Sequence, residues 1–176
     1  NISGRVNPDI GYSYSLFNFS EMSLSSLIEE KTGFQTTIDN DSRAMAYGEY
    51  IAGCVKGEKN VLFINISWGL GMGIILNGKV HKGRSGFSGE IGHIHTFDNE
   101  LICHCGKKGC LETEASGSAF YRIVKERINA GEASTVKTDR NGDFTFQDLI
   151  DAVNNEDSLC IDVVDSIGHK LGLQIS

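Results

Sequence analysis

Residues 93–110 read HIHTFDNELICHCGKKGC, and this stretch says more about the fold than any other. Three cysteines stand at short spacing with two glycines between them, and a histidine precedes the first cysteine by ten residues. One imidazole and three thiolates are a usual ligand set for tetrahedral structural zinc. The glycines let the backbone turn tightly enough to aim the thiolates at one point. The predicted zinc ligands are His93, Cys103, Cys105 and Cys110.

Other interpretations of this stretch stay open at the level of sequence. His95 or His104 could replace His93, and the cysteines could be ordinary reduced thiols or include a disulfide pair. The sequence shows no signal peptide and no apolar run of membrane length, so we expect a cytoplasmic location and a metal site rather than a disulfide. Cys54 and Cys160 lie in apolar helical patterns, where we expect them to be buried.

Two carboxylates flank the cysteine-rich loop. Glu90 precedes His93 by three residues, and Glu112 follows Cys110 by two. If His93 binds a metal through one ring nitrogen, its other nitrogen becomes a donor of fixed direction. Two carboxylates and one oriented imidazole would suit vicinal hydroxyl groups of a sugar. The alternative for Glu112 is a solvated surface charge that pairs with Lys107 or Lys108.

Length, composition and charge limit the classes to which this protein can belong. The chain has 176 residues, 40% of them hydrophobic, and a net charge of −7 with a pI near 5.2. This length can bury one sizeable core or two small ones, and the acidity argues against a nucleic-acid surface within these residues. Twenty-one glycines and one proline fit an α/β protein with many tight turns. Both ends look cut, so we expect a fragment of a longer protein.

Hydrophobic periodicity predicts alternating helices and strands. Helices are expected over residues 23–31, 43–55, 115–129 and 159–175, and a capping box at Thr145 and Asp148 predicts one more. Strands are expected over residues 34–38, 61–67 and 72–76, and the apolar run at 61–67 is typical of a strand buried on both faces. Asn77-Gly78 predicts a hairpin turn into residues 79–82. Residues 131–143 are polar and are expected to form a surface loop.

Two further segments are candidates for chemistry. Residues 68–73, WGLGMG, lie between two predicted strands, and their alternating glycines would let a backbone approach a phosphate or a sugar. The alternative is a glycine-rich hairpin without a ligand. Asn40-Asp41 stands between a strand and a helix, where Asp41 could accept a proton from a hydroxyl group. Helix capping alone would also explain an aspartate there.

Taken together, these segments resemble the ROK family of repressors, open reading frames and sugar kinases. Residues 86–93, the gap to Cys103 and residues 105–112 look like the family's signature, and Asn40-Asp41 resembles its Asn-Asp pair. Residues 69–73 with Asn77-Gly78 look like its phosphate-side hairpin. Residues 4–8 are similar to the sugar-side loop of N-acetylmannosamine kinase-like members.

The resemblance implies an actin-like ATPase, hexokinase-type (ribonuclease H-like) fold, in which two α/β domains enclose a cleft. Residues 1–41 would end the first, smaller domain, and residues 42–176 would form the second, larger domain with the zinc loop at 93–110. In members that are kinases, the residue matching Asp41 is the catalytic base, and the glycine hairpin binds phosphate. The implied phosphate-binding residues are Gly69, Gly71 and Gly73. The implied sugar-binding residues are Gly4, Arg5, Asn40, Asp41, Glu90, His93 and Glu112.

We expect the sugar-sensing part of a carbohydrate-responsive transcriptional repressor with structural zinc. Trp68 stands where kinases of the family usually show a small hydroxyl residue, and residues 43–46 and 111–116 look more like the repressor branch. The alternative is an ATP-dependent hexose or N-acyl-hexosamine kinase, which would need ATP and Mg²⁺. A third hypothesis is a zinc-containing interaction module without a small ligand. The resemblance further implies a dimer or tetramer, DNA contact only through an amino-terminal helix-turn-helix outside these residues, and no membrane.

Overall fold

The structure, a computed structural model, describes residues 4–15 and 21–176. It confirms the predicted mixture of helices and strands. Asn1, Ile2 and Ser3, at the amino-terminal end that we expected to be cut, lie outside the described residues. In chain order the elements are β1 (Val6–Asn7), β2 (Tyr12–Ser13), α1 (Leu24–Thr32), α2 (Asp41–Ala52), β3 (Val61–Ile66), β4 (Leu70–Leu76), β5 (Lys79–Val80), α3 (Gly117–Asn129), α4 (Phe146–Asn154) and α5 (Ser158–Ile175), with single 3₁₀ turns at Ile91–His93 and Leu111–Thr113.

Short-range signals place several element boundaries correctly. The Ser23 hydroxyl caps α1 by accepting the Ser26 N–H at 3.2 Å, and Gly33 ends the helix with φ +72°. Thr145 and Asp148 form the predicted capping box at the start of α4. Asn77 and Gly78 both have positive φ in the turn from β4 to β5. Each of these features depends on contacts within a few residues, which the sequence pattern contains.

The second helix differs from its predicted bounds. It begins at Asp41, two residues earlier than expected, because the side chain of Asn40 is the cap and accepts the Arg43 N–H at 3.1 Å. The helix ends at Ala52 instead of continuing to residue 55. Cys54 therefore lies beyond the helix and is exposed, so the prediction that it is buried was wrong. Cys160 is buried as predicted, and burial raises its pKa to about 12.

Two strand predictions fail for reasons that lie outside the local sequence. Residues 34–38 do not form a strand, since within the described residues they find no ladder partner; the Thr36 N–H instead donates to Glu29 Oε1 at 2.7 Å. The strand β3 is not buried on both faces, and Leu62 and Ile66 are 58% and 53% exposed. In the described sheet, whose order is β3-β4-β5, β3 is an edge strand.

The chain divides into two compact units. The first comprises residues 1–65 and 71–90, and the second comprises residues 66–70 and 91–176. In the first unit β1 and β2 pair antiparallel, with Val6 opposite Ser13, and the Val6 side chain packs with Leu24 and Ile38 in a small core. The domain boundary that we expected after Asp41 stays a prediction.

Helices dominate the second unit. Both α3 and α4 pack against α5, whose residues Val163, Ile167 and Leu171 are buried as the periodicity predicted. Residues 131–143 contain no helix or strand, as predicted for a surface loop. None of the helices formed by residues 4–15 and 21–176 is long and apolar enough to cross a membrane.

Candidate functional site

The cysteine-rich loop in the second unit is folded back on itself by main-chain hydrogen bonds. The N–H groups of Thr96 and Phe97 both donate to the Gly109 carbonyl, at 2.8 and 3.1 Å. The Cys103 N–H donates to the Lys107 carbonyl at 2.8 Å, which closes the turn that contains Cys105. Gly109 has a φ of +72°, and a Cβ there would stand 2.1 Å from the Phe97 carbonyl. The loop therefore requires glycine at this position, as the sequence suggested.

The fold brings the four predicted metal ligands together. The ligand atoms of His93, Cys103, Cys105 and Cys110 all lie within 4.8 Å of one another. Cys103 Sγ is 3.6 Å from His93 Nδ1, and Cys105 Sγ is 3.6 Å from Cys110 Sγ. All three thiols are free rather than bridged. The four side chains thus form a group that could hold a metal ion.

The three thiols differ in their acidity. Burial raises the pKa of Cys103 to about 12, and the nearby Glu112 carboxylate adds to the rise. Burial also raises the pKa of Cys110. Burial acts on Cys105 in the same direction, but hydrogen bonds from the Lys107 N–H and from the other two thiols outweigh it, so the pKa of Cys105 is lowered. The exposed thiol is therefore the most acidic of the three.

The structure distinguishes the three candidate histidines by their distance from the cysteines. His93 lies with the three cysteines, while His104 joins His93 and Glu112 in a second group of closely spaced ligand atoms. His95 belongs to neither group; its main chain pairs with Cys110 in an isolated β-bridge. Among the described residues, the predicted choice of His93 as the histidine ligand is the one that completes a group with all three cysteines.

Glu112 is a buried carboxylate with partners on both oxygens. It is 7% exposed, so the alternative of a solvated surface charge was wrong. Its Oε2 accepts the Leu70 N–H at 2.9 Å, and its Oε1 lies 2.8 Å from His104 Nδ1. The Cys103 thiol donates to the same Oε1 at 3.6 Å. Glu112 therefore joins the cysteine-rich loop to the turn between β3 and β4.

The lysines that we considered as partners of Glu112 contact other groups. Lys107 Nζ donates to the His93 carbonyl at 2.8 Å, and Lys108 forms an ion pair with Glu100. The Lys107 contact holds the main chain at His93, the predicted histidine ligand. Both lysines thus contribute to the loop without neutralising Glu112.

Part of the predicted sugar-binding set comes together in the first unit. Asn40 Nδ2 donates to the Gly4 carbonyl and to Asp41 Oδ1, at 3.0 Å in both cases. Asp41 Oδ1 also accepts the N–H of Ser42, the next residue of α2, at 2.8 Å. Arg5 is exposed, and its guanidinium carbon lies 5.7 Å from the centre of the Phe87 ring.

Glu90 is half-buried at the end of the first unit. The convergence of Asn40 and Asp41 with Glu90, His93 and Glu112 in one cleft stays a prediction.

Close packing explains why the β3–β4 hairpin has glycine at three positions. A Cβ at Gly69 would stand 2.8 Å from Glu112 Oε2, within the second unit. In the first unit, a Cβ at Gly71 would stand 2.2 Å from the Ser42 hydroxyl, and one at Gly73 would stand 2.2 Å from the Ala46 Cβ. Close approach of a side chain or helix therefore accounts for all three glycines, and the phosphate-binding role stays a prediction.

Trp68 occupies the turn of this hairpin. Its ring centre lies 5.9 Å from that of Tyr121 on α3 and 6.3 Å from that of Phe146 on α4. The carbonyl of Trp68 accepts the Ser118 N–H at 2.9 Å, which anchors the turn at the start of α3. The indole is still 60% exposed. A bulky aromatic side chain therefore stands in the position that the sequence indicated.

Two side chains make contacts that sequence reasoning missed. His104 was considered only as an alternative metal ligand, and its place between two cysteines did not indicate the contact with Glu112. Arg43 is 2% exposed and bonds to Asp39, Val6 and Gly86, although an arginine in an Ala- and Met-rich helix reads as a surface residue. The only available hint was the helical i, i+4 spacing of Asp39 and Arg43.

Comparison with known proteins assigns the family. The ROK family model matches residues 2–176, which is nearly the whole chain. The chain belongs to the ROK family. The suspected resemblance is thereby confirmed.

Relatives of both functional branches are similar to this ROK protein. A glucokinase of Halalkalibacterium halodurans is 35% identical over 98% of the chain, which spans 54% of that relative. The DNA-binding transcriptional dual regulator NagC of Escherichia coli K12 is 32% identical over 99% of the chain, which spans 43% of NagC. The chain thus spans about half the length of these relatives.

Solved structures of a regulator and of a kinase are also similar to this chain. A ROK family transcriptional regulator described as a homologue of E. coli MLC matches with a TM-score of 0.80 and 36% identity, over 98% of this chain and 44% of that one. A ROK family glucokinase from Streptomyces griseus, in complex with glucose and AMPPNP, matches with a TM-score of 0.82 and 28% identity, over 95% of this chain and 56% of that one. The chain therefore shares its fold with both regulators and sugar kinases.

Proposed function

We propose that this chain is the effector-sensing, sugar-binding part of a carbohydrate-responsive transcriptional repressor, built around a structural zinc ion. The ligand is a hexose or an N-acyl-hexosamine, bound in the cleft of a hexokinase-type fold. Binding favours one arrangement of the domains and so changes DNA affinity by population shift. DNA is contacted by an amino-terminal helix-turn-helix outside these residues, in a cytoplasmic dimer or tetramer.

The main support for the proposed sugar site is the burial and hydrogen bonding of the Glu112 carboxylate. A buried charge is stable only when it is well hydrogen-bonded, and Leu70 N–H and His104 hold this one in a fixed orientation. A carboxylate fixed in this way accepts hydroxyl hydrogen bonds without first losing conformational freedom. Asn40 and Asp41, anchored to each other and to Gly4, supply the remaining polar groups of the proposed pocket.

The spacing of the ligand atoms supports zinc. Around a tetrahedral zinc, sulfur–sulfur and sulfur–nitrogen separations are about 3.6–3.8 Å, given the usual bond lengths. The separations of 3.6 Å for Cys105–Cys110 and for Cys103–His93 fit that geometry. Bound there, the ion would fix the loop that carries His93 and Glu112. The thiolates need a reducing compartment, which goes with the proposed cytoplasmic location.

Sensing is preferred over phosphorylation because of Trp68. Its indole stands on the turn beside Gly69 and is held there by Tyr121 and Phe146. A ring of this size in the glycine hairpin leaves little room for nucleotide phosphates. A missing positioning contact can lower the rate of a transfer reaction by orders of magnitude.

The second candidate is an ATP-dependent sugar kinase, either glucokinase-like or N-acetylmannosamine kinase-like. It is favoured by the glucokinase relative that is 35% identical and by the position of Asp41 at the first residue of a helix, where a base toward the sugar hydroxyl would be displayed. In that case ATP and Mg²⁺ are required, and Gly69, Gly71 and Gly73 face the phosphates.

Titration calorimetry of the full-length protein tests the proposed sugar site. Glucose, N-acetylglucosamine and N-acetylmannosamine should be titrated separately, with mannitol as a polyol control. Saturable binding of at least one of the sugars, with none of mannitol, supports the proposal. Heats no larger than those of mannitol for every sugar would overturn it.

A further inference from the structure

Arg43 is the most deeply buried charged side chain described, with 2% of its surface exposed. Its Nε donates to Asp39 Oδ1 at 2.8 Å, and its Nη2 lies 2.8 Å from the same oxygen in an ion pair. Its Nη1 donates to the Gly86 carbonyl at 2.7 Å, and its Nη2 also donates to the Val6 carbonyl at 3.3 Å. The guanidinium therefore joins a helix, the hairpin of β1 and β2, and the segment after β5.

The chemistry of this contact set requires arginine. A buried cation is tolerated only with a counter-charge and with its donors used, and Asp39 supplies the counter-charge while the two carbonyls take further donors. The guanidinium is a planar fork that reaches several acceptors at fixed angles. A lysine ammonium is a point charge that cannot span Asp39, Val6 and Gly86 at once.

The two carbonyls belong to segments that contain predicted sugar-binding residues. Val6 follows Gly4 and Arg5, and the Gly4 carbonyl itself accepts a hydrogen bond from Asn40. Gly86 stands four residues before Glu90. Arg43 directly follows Asp41 and Ser42 on α2. Its guanidinium therefore holds the segments of Val6 and Gly86 against the start of this helix.

We propose that Arg43 is a positioning residue of the sugar pocket, which holds the segments of Val6 and Gly86 in register with Asn40 and Asp41. This role rests on the proposed sugar site. It differs from general stabilisation because it acts through two directed hydrogen bonds, which a small guanidinium compound can remake in a truncated variant.

The experiment compares Arg43→Ala and Arg43→Lys with Leu24→Ala in the full-length protein. Leu24→Ala is the matched control, since Leu24 belongs to the same small core as Val6 but has an apolar side chain that makes no hydrogen bonds. Amide hydrogen exchange is read over residues 4–15 and 83–90 without sugar, and calorimetry gives the affinity for glucose and N-acetylglucosamine. Each measurement is repeated with millimolar ethylguanidinium, which matches the side-chain atoms that alanine lacks.

We expect both Arg43 variants to lose exchange protection in the two segments and to bind sugar roughly tenfold more weakly, a change of about 1.4 kcal/mol. Ethylguanidinium should restore protection and affinity in Arg43→Ala and should have no effect on Leu24→Ala. Wild-type affinity in Arg43→Ala, or losses that ethylguanidinium does not reverse, would overturn the positioning role alone. A wild-type protein that binds no sugar would instead overturn the proposed function, and the positioning role with it.

Discussion

Glu112 Oε2 accepts the backbone N–H of Leu70 at 2.9 Å, across 42 residues of sequence. The other oxygen of the same carboxylate lies beside His104, in the cysteine-rich loop. One buried side chain thus connects the proposed zinc loop to the turn between β3 and β4, within the second unit. A change in the order of the loop should therefore reach this turn through the carboxylate.

Replacing Glu112 with glutamine should weaken sugar binding. The amide keeps the shape of the side chain but loses the charge, and hydrogen bonds to a charged acceptor are roughly twice as strong as neutral ones. We expect the calorimetric dissociation constant for sugar to rise roughly fivefold to tenfold in Glu112→Gln. Glu100→Gln is the matched control, because Glu100 is an exposed carboxylate on the same loop. Equal affinities in the two variants would argue against a sugar contact by Glu112.

Metal analysis of the purified protein should find about one zinc per chain. Cys105→Ser should lower the zinc content and increase hydrogen exchange across residues 93–112, because metal binding and loop folding are coupled. Cys54→Ser is the control, since Cys54 is also an exposed free thiol but lies outside the cluster. A metal-free protein with the exchange pattern of the zinc-bound protein would rule out a structural zinc.

The packing role of the hairpin glycines predicts a loss of stability on substitution. In Gly71→Ala the new Cβ meets the Ser42 hydroxyl, and relief of that contact should cost about 1–3 kcal/mol in the free energy of unfolding. Gly48→Ala is the control. Gly48 lies on α2, the helix that also carries Ser42, and a Cβ there would meet no neighbour within 4 Å. Alanine at this position should therefore raise the free energy of unfolding by about 0.5–1 kcal/mol. Urea titration measures both, and a neutral Gly71→Ala would contradict the packing account.

Local signals in the sequence were sufficient for caps and turns. Ser23 with Gly33, Thr145 with Asp148, and the Asn77-Gly78 turn all act within a few residues, so their patterns predict geometry directly. The cysteine spacing likewise predicted a group that the fold does assemble. For Glu112 the sequence left a pocket role and a solvated surface charge open, and the burial of the side chain excludes the second.

The features that the sequence did not predict depend on contacts between residues far apart in the chain. The apolar run of β3 does not say which face is covered, and Leu62 is exposed. The bonds from Arg43 to Val6 and Gly86 join residues 37 and 43 positions apart, and the bond from Glu112 to Leu70 spans 42. No local pattern contains such pairs, because the chain brings them together only when it folds.

Asp157 should make the second unit sensitive to acid. It is 4% exposed and caps α5 through the Cys160 N–H, while Ser134 and Thr135 donate to its other oxygen. Burial alone would raise the pKa of Asp157, but the hydrogen bonds from Thr135 and Cys160 outweigh burial and hold the pKa below its usual range.

Because the pKa of Asp157 is lower when folded, its stabilisation is complete above the ordinary carboxyl pKa near 3.8 and is lost as the pH falls through the folded value. At pH 7 Asp157→Asn should therefore lower the free energy of unfolding by about 1–2 kcal/mol. The difference from wild type should shrink below pH 4. Asp165→Asn, an exposed site on the same helix, is the control; a difference that does not change with pH would contradict this account.

The rate of ATP turnover by the full-length protein tests the central claim, a sugar sensor rather than a sugar kinase, most directly. The assay contains Mg²⁺, ATP and, in turn, glucose, N-acetylglucosamine and N-acetylmannosamine, and it measures ADP release against a reaction without sugar. Trp68 beside Gly69 leaves little room for phosphates, so we predict no sugar-dependent release, even with a sugar that calorimetry shows to bind. Asp41→Asn should then reduce sugar affinity only. Sugar-dependent turnover of about one per second or faster, which is typical of kinases, would contradict the account and establish the kinase alternative.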